Sequence, residues 1–205
     1  MSASKIVESG DALSVITGCG QELTADMIII GIGVIPNTEL AEAANLQIEN
    51  GIAVNEFCQT SDPDIYAAGD VTWHYNTTYD AHIRLESVPN ATEQGKTIAL
   101  HINGTPKPYE SLPWFWSDQY DLKLQITGLS GGYDDVVIRG DIEGSRSFAA
   151  YYFKNDKFIA VDAINAPRDF MFGKMSLTKG VNLDKALLTD TSRDLKECTV
   201  DTLPN

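Results

Sequence analysis

Cysteine is scarce in this 205-residue chain. Its three cysteines, Cys19, Cys58 and Cys198, form no C-x-x-C pair. That argues against a zinc site or a vicinal dithiol within the chain, and it supports no disulfide framework. His74, His82 and His101 show no ligand spacing either and read as surface or loop residues, so no metal is expected. Long apolar runs are missing too. The longest candidate, Met27-Ile28-Ile29-Ile30, falls far short of the roughly 18 residues that span a bilayer. The opening Met1-Ser2-Ala3-Ser4-Lys5 has no apolar leader core, so the expected location is cytoplasmic. Basic residues number 15 against 29 acidic, a net charge of −14. Nucleic acid and anionic membrane would be repelled. The shortage is uneven: residues 1–110 hold 4 basic and 15 acidic (net −11), residues 111–205 hold 11 and 14 (net −3). Only the second part can offer local positive potential to an acidic protein partner.

What is present is ordinary globular material, 43% hydrophobic and 21% charged, enough for one large domain or two small ones. Leu13–Thr17, the turn Gly18-Cys19-Gly20 and Glu22–Thr24 read as antiparallel β. Ala25–Gly31 reads as a strand buried on both faces of a parallel sheet, because it is continuously apolar and ends at glycine. A short helix over Thr38–Ala44 and strands at Gly51–Val54 and Asp64–Ala68 follow. A helix is predicted from Pro89 to about Ile102, with Ser87 as cap and Ala91, Gly95, Ile98, Ala99 and Ile102 as its apolar stripe. Gly104–Pro108 breaks it. Beyond lie strands at Leu122–Thr127, Val136–Arg139, Ser147–Phe153 and Lys157–Ala163, then helices near Pro167–Thr178 and Asp184–Leu188. The fold class is therefore α/β followed by α+β.

Thr60-Ser61-Asp62-Pro63-Asp64-Ile65-Tyr66-Ala67-Ala68-Gly69-Asp70 is the most informative segment. A glycine at a strand's end lets backbone approach a ligand, and the next carboxylate can accept hydrogen bonds from ligand hydroxyls. This segment resembles the second flavin-binding signature of the FAD-dependent pyridine-nucleotide reductases. The resemblance implies that Gly69 and Asp70 lie at the flavin, Asp70 holding a ribityl hydroxyl. Arg84-Leu85-Glu86-Ser87-Val88-Pro89-Asn90-Ala91-Thr92-Glu93-Gln94-Gly95 and Pro113-Trp114-Phe115-Trp116-Ser117-Asp118-Gln119-Tyr120 look like two motifs of the putidaredoxin reductase-like branch, the ferredoxin and rubredoxin reductases. The likeness covers nearly the whole chain and weakens after about Leu183.

The first motif sets a helix N-terminus at Val88-Pro89, whose free N–H groups and dipole would stabilise negative charge on reduced flavin. By resemblance the Val88 backbone contacts FAD, although an ordinary capped helix explains Ser87 and Pro89 equally well. In the second motif the two indoles are expected on opposite faces of an extended segment, Trp114 packing and Trp116 lying between flavin and iron–sulfur partner as the family implies. Gly31-Ile32-Gly33 is not a G-x-G-x-x-G fingerprint, since Pro36 stands in the last glycine's place. The resemblance puts it near the nicotinamide nucleotide, and backbone contact with NAD and a plain domain crossover both remain open. Lys96 and Lys123 either steer an acidic ferredoxin or rubredoxin or are solvated surface lysines.

The family needs two Gly-rich strand-turn-helix units, for FAD and NAD(P)H, and neither fingerprint occurs in these 205 residues. Residues 1–35 then correspond to the tail of the NAD(P)-binding domain, 36–110 to the second segment of the FAD-binding domain, both Rossmann-like and partial, and 111–205 to a C-terminal antiparallel-sheet reductase domain. The implied parent enzyme passes electrons from NAD(P)H through FAD to a ferredoxin or rubredoxin. Alone, the chain is expected to be inactive and to associate with the missing N-terminal half or with itself. A related NADH oxidase, an apoptosis-inducing-factor-like flavoprotein and a flavin-free interaction domain are the alternatives.

Overall fold

Alternating apolar and polar residues separated by tight turns build the beginning of the chain as an antiparallel meander, β1 (Ala3–Ser9), β2 (Ala12–Thr17) and β3 (Glu22–Ala25). The structure is a computed structural model that describes residues 2–10 and 12–200; Met1, Asp11 and 201–205, which include the outer ends of the first and last expected domains, lie outside the described residues. Thr17 closes the β2–β3 turn, its hydroxyl accepting the Gln21 amide at 3.0 Å. The expected strand over Ala25–Gly31 does not form. β3 ends at Ala25, and the following apolar run stands in water, Ile29 and Ile32 being 88% and 92% exposed. A parallel strand takes its rungs and both covering layers from neighbours, and among the described residues of this unit nothing supplies them. Hydropathy records a need for burial, not its supply.

The chain divides into two compact units at Ile35/Pro36. The second unit begins with α1 (Glu39–Ala43) and a four-stranded sheet, β4 (Ile48–Glu49), β5 (Gly51–Val54), β6 (Thr72–Asn76) and β7 (Ala81–Ile83), in that spatial order. β5 and β6 are parallel and the outer pairs antiparallel. The strand expected at Asp64–Ala68 is instead one arm of a tight turn. Tyr66 makes a single bridge to Gln59, the Thr60 amide donates to Ile65 O at 3.0 Å, and the Ala67 amide to Cys58 O at 3.1 Å. β6, unrecognised in the sequence, takes the parallel place beside β5 immediately after Gly69-Asp70.

Helix α2 (Val88–Ile102) starts where expected, with Ser87 Oγ accepting the Asn90 amide at 3.3 Å. Its orientation differs from expectation. Asn90, Gln94 and Thr97 are buried, whereas Ala91, Gly95, Ala99 and Ile102 of the apolar stripe are exposed.

From Trp114 onward local pattern governs. Strands β8 (Trp114–Gln119), β9 (Leu122–Gly128), β10 (Asp135–Gly140), β11 (Phe148–Lys154) and β12 (Lys157–Ile164) make an antiparallel sheet in the order β10-β11-β12-β9-β8. Asn155 and Asp156 turn β11 into β12 with φ of 49° and 61°, the left-handed pair that a two-residue hairpin demands. Alternation then buries Ala149, Tyr151 and Phe153 of β11 beside Val161 and Ala163 of β12. Helix α3 (Pro167–Lys179) covers that face with Phe170 and Phe172. Gly173 lets α3 approach, because a Cβ there would run into Val161. The short pair β13 (Asn182–Leu183) and β14 (Thr199–Val200) brackets α4 (Lys185–Thr189). Arg139 braces this end: its guanidinium donates to the Leu188, Asp190 and Arg193 carbonyls at 3.0, 2.7 and 2.8 Å and pairs with Asp169 at 3.5 Å.

Candidate functional site

Gly69 is where the turn enters the sheet. It holds φ 84°, is buried, and has Ala91 of α2 so close that an added Cβ would lie 3.4 Å from the alanine methyl. Its amide donates to Gln94 Oε1 at 2.7 Å. The Thr72 hydroxyl lies 2.8 Å from the Gly69 carbonyl and 3.0 Å from Gln94 Oε1, one proton shared between two acceptors. Gln94 Nε2 faces His74 Nδ1 at 3.4 Å, Asn90 Nδ2 donates to Leu85 O at 3.0 Å, and Tyr109 OH donates to Asn90 Oδ1 at 2.7 Å. These side chains form one buried polar wall that fastens the Gly69-Asp70 turn to α2. Sequence reasoning missed it, since an apolar stripe was the signal sought and the wall is polar.

His74 corrects its own expectation. It is 2% exposed, and burial, helped by the charge of nearby His82, lowers its pKa to about 4, so the ring is neutral. Its Nε2 has no partner among the described residues. His82 is exposed, as expected, while half-buried His101 meets Tyr66 OH at 3.1 Å.

Asp70 is exposed; its carbonyl, not its carboxylate, receives Arg84 Nη1 at 3.3 Å. Nearby, the opening turn of α2 spends its donors economically. Pro89 has no amide hydrogen, the Asn90 amide goes to Ser87 Oγ and the Ala91 amide to Ser87 O. The amide of Val88, a residue that is itself exposed, has no hydrogen-bond partner among the described residues, and the turn carries no acidic side chain.

Trp114 and Trp116 do not point to opposite faces. Side chains two apart on a strand share a face, and the indoles stack on one another with ring centroids 5.5 Å apart. Trp114 packs inward, 6.0 Å from Phe170 and beneath the Lys174 ammonium at 4.1 Å. Burial lowers the Lys174 pKa. Trp116 is the outer ring, 37% exposed. A small cleft of about 130 Å³ separates Leu85–Ser87 from Trp114 and Phe115, and a larger one, about 420 Å³, lies between Ser87, Pro89, Glu93, Trp114 and Lys174. The structure thus gathers Gly69, Asp70, Val88, Pro89 and the inner tryptophan around the start of α2.

Other candidates fall outside this group. Gly31, Ile32 and Gly33 lie in the exposed stretch of the first unit. Lys96 is exposed and pairs with Glu93 at 2.5 Å; Lys123 is exposed on β9, opposite Asp118 of β8. No cluster of three metal-ligating side chains occurs among the described residues.

The family model described as pyridine nucleotide-disulphide oxidoreductase matches residues 1–95, and the one described as reductase C-terminal matches residues 114–199. Putidaredoxin reductase CamA of Pseudomonas putida is 46% identical over 178 residues, 87% of this chain and 42% of the relative. Rhodocoxin reductase of Rhodococcus erythropolis is 40% identical over 187 residues, 91% of this chain and 44% of the relative. The crystal structure of a ferredoxin reductase for the CYP199A2 system from Rhodopseudomonas palustris superposes with a TM-score of 0.88 at 41% identity, covering 97% of this chain and 49% of that one. The covalent putidaredoxin reductase–putidaredoxin complex gives 0.85 at 43% identity, covering 96% and 48%. The chain spans less than half the length of these relatives.

Proposed function

The chain belongs to the putidaredoxin reductase-like ferredoxin reductases of the pyridine nucleotide-disulphide oxidoreductase family, and from that premise we propose that it forms the electron-delivering part of a flavoprotein reductase. Electrons pass from NAD(P)H through FAD to a ferredoxin or rubredoxin. Residues 1–35 belong to the NAD(P)-binding domain, 36–110 to the FAD-binding domain and the remainder to the reductase domain. FAD, when bound, supplies acceptance of electron pairs and their release one at a time.

The observation that carries the reading is the fastening of the Gly69-Asp70 turn to the start of α2 through Gln94. Asp70, whose exposed side chain suits sugar-like hydroxyls, and Val88, which opens α2, then flank that fastening from its two ends. Residues of this kind fit a flavin: Asp70 for the ribityl chain, Val88 N–H for the pyrimidine edge, where the helix end favours negative charge. No acidic side chain lies in the first turn of α2, and Glu86 just ahead of it is paired with Arg84. Trp116 supplies an apolar face toward the partner, and the exposed Lys96 and Lys123 would attract an acidic one once drawn from their carboxylate neighbours. The Gly31–Gly33 backbone would meet the nicotinamide nucleotide. By itself the chain is inactive, and the Met27–Ile35 surface engages either an N-terminal half or a second copy.

The test is co-expression with the N-terminal half of the Pseudomonas putida relative. Co-purifying flavin absorbance and NADH-driven reduction of a ferredoxin are expected. An Asp70→Ala variant loses about tenfold or more in FAD affinity, the scale of a hydrogen bond to a charged group. An assembled pair that holds no flavin would overturn the proposal.

A further inference from the structure

The phenol of Tyr79 occupies an unusual place. In the ladder between β9 and β12, Gly128 pairs with Ala160, so Leu129 and Ile159 would come next. They do not bond to each other. Tyr79 OH stands between them, donating to the Ile159 carbonyl at 2.9 Å and accepting the Leu129 amide at 2.9 Å. Ile159 is also the extra residue of a β-bulge: Tyr152 pairs with Ala160 and Phe153 with Phe158, leaving Ile159 without a partner on β11. Its carbonyl faces β9, whose ladder with β12 ends at Gly128, and the phenol takes it there. Gly128, at φ 82°, is crowded from both sides: a Cβ there would meet the Ile159 carbonyl and lie 2.8 Å from both Ala160 Cα and Tyr79 OH. Burial raises the Tyr79 pKa to about 12, which keeps the donor proton in place.

The phenol comes from the other half of the unit. Tyr79 sits in the β6–β7 turn, where Asn76 Oδ1 accepts the Thr78 and Tyr79 amides at 3.1 and 3.3 Å. β6 also carries Thr72 and His74 of the polar wall. On the far side, the Gly128 amide donates to Pro113 O at 2.9 Å, one residue before Trp114.

We propose that Tyr79 is a positioning residue, a surrogate rung that fixes the Trp114–Trp116 edge of the C-terminal sheet relative to the Gly69-Asp70 cradle. Its effect on electron delivery rests on the function proposed above; its effect on the ladder does not. The phenol touches no reacting atom. It holds the spacing between two elements that must cooperate, and such spacing errors are costly in rate.

Two experiments with Tyr79→Phe test this, with Tyr75→Phe as control, since among the described residues the Tyr75 hydroxyl bonds only within the same hairpin, to Asp80. In the 205-residue chain, amide exchange at Leu129 accelerates about tenfold in Tyr79→Phe, one lost hydrogen bond, while β11 amides and the control stay as in the parent. Unchanged exchange, or equal acceleration everywhere, overturns the proposal. In the flavin-loaded assembly with the N-terminal half, Tyr79→Phe lowers kcat with ferredoxin about tenfold and preserves NADH-driven ferricyanide reduction. Equal rates with both acceptors, or equal loss with both, overturn the positioning role. An assembled parent pair that holds no flavin defeats the functional proposal instead, and the Leu129 exchange in the 205-residue chain still judges the rung.

Discussion

Gln94 Oε1 and the Gly69 amide lie 2.7 Å apart in a contact closed to solvent, so a helix side chain serves as the acceptor that a neighbouring strand would ordinarily supply. Replacing Gln94 with leucine strands the Gly69 amide. The expected cost is about 1–3 kcal/mol of stability, the penalty for an orphaned buried donor. Urea unfolding measures it, and an unchanged midpoint would mean that water replaces the acceptor.

His74 gives the chain an acid limit. Its pKa in the fold, about 4, lies below the ordinary 6.5, so folding prefers the neutral ring. This contribution is whole above about pH 6.5 and is lost as pH falls toward 4, by at most about 3 kcal/mol. A His74→Asn variant is expected to lose less stability than the parent over that window in parallel urea titrations. Identical slopes in the two proteins would remove His74 as the cause.

Lys174 holds its ammonium 4.1 Å from the Trp114 ring centre. Lys174→Met keeps the aliphatic packing and removes the charge, so the expected loss is about 0.5–1 kcal/mol, with a changed tryptophan emission spectrum. Emission identical to the parent would show that the cation does not rest on the indole.

Two helical glycines should respond in opposite directions. A methyl at Gly173 runs into Val161, whereas a methyl at Gly95 meets nothing within 4 Å. Gly173→Ala therefore destabilises by about 1–3 kcal/mol through overpacking, despite alanine's better helix propensity. Gly95→Ala stabilises by about 0.5–1 kcal/mol. Thermal unfolding of both variants decides, and shifts of the same sign would contradict the packing described.

Legibility in the sequence followed the range of the interactions. Strands β9 to β12 and helices α3 and α4 stand within a residue or two of expectation because alternation, Asn155-Asp156 and Pro167 act locally. The start of α2 was legible through Ser87 and Pro89, but its inward face was not, since Asn90 and Gln94 are buried by hydrogen bonding rather than by hydropathy. The expected separation of Trp114 and Trp116 ignored the two-residue period of a strand. Tyr79 gave no signal, its partners lying 50 and 80 residues along the chain.

The bare Met27–Ile35 segment has a practical corollary. Met27, Ile29, Ile30, Ile32, Val34 and Ile35 present their side chains to water in the folded state, and contiguous apolar surface of that kind is what environment-sensitive dyes adsorb to. Fluorescence with such a probe will be bright before any heating begins. Thermal-shift curves on this chain will start from a raised baseline, and melting is better followed by circular dichroism.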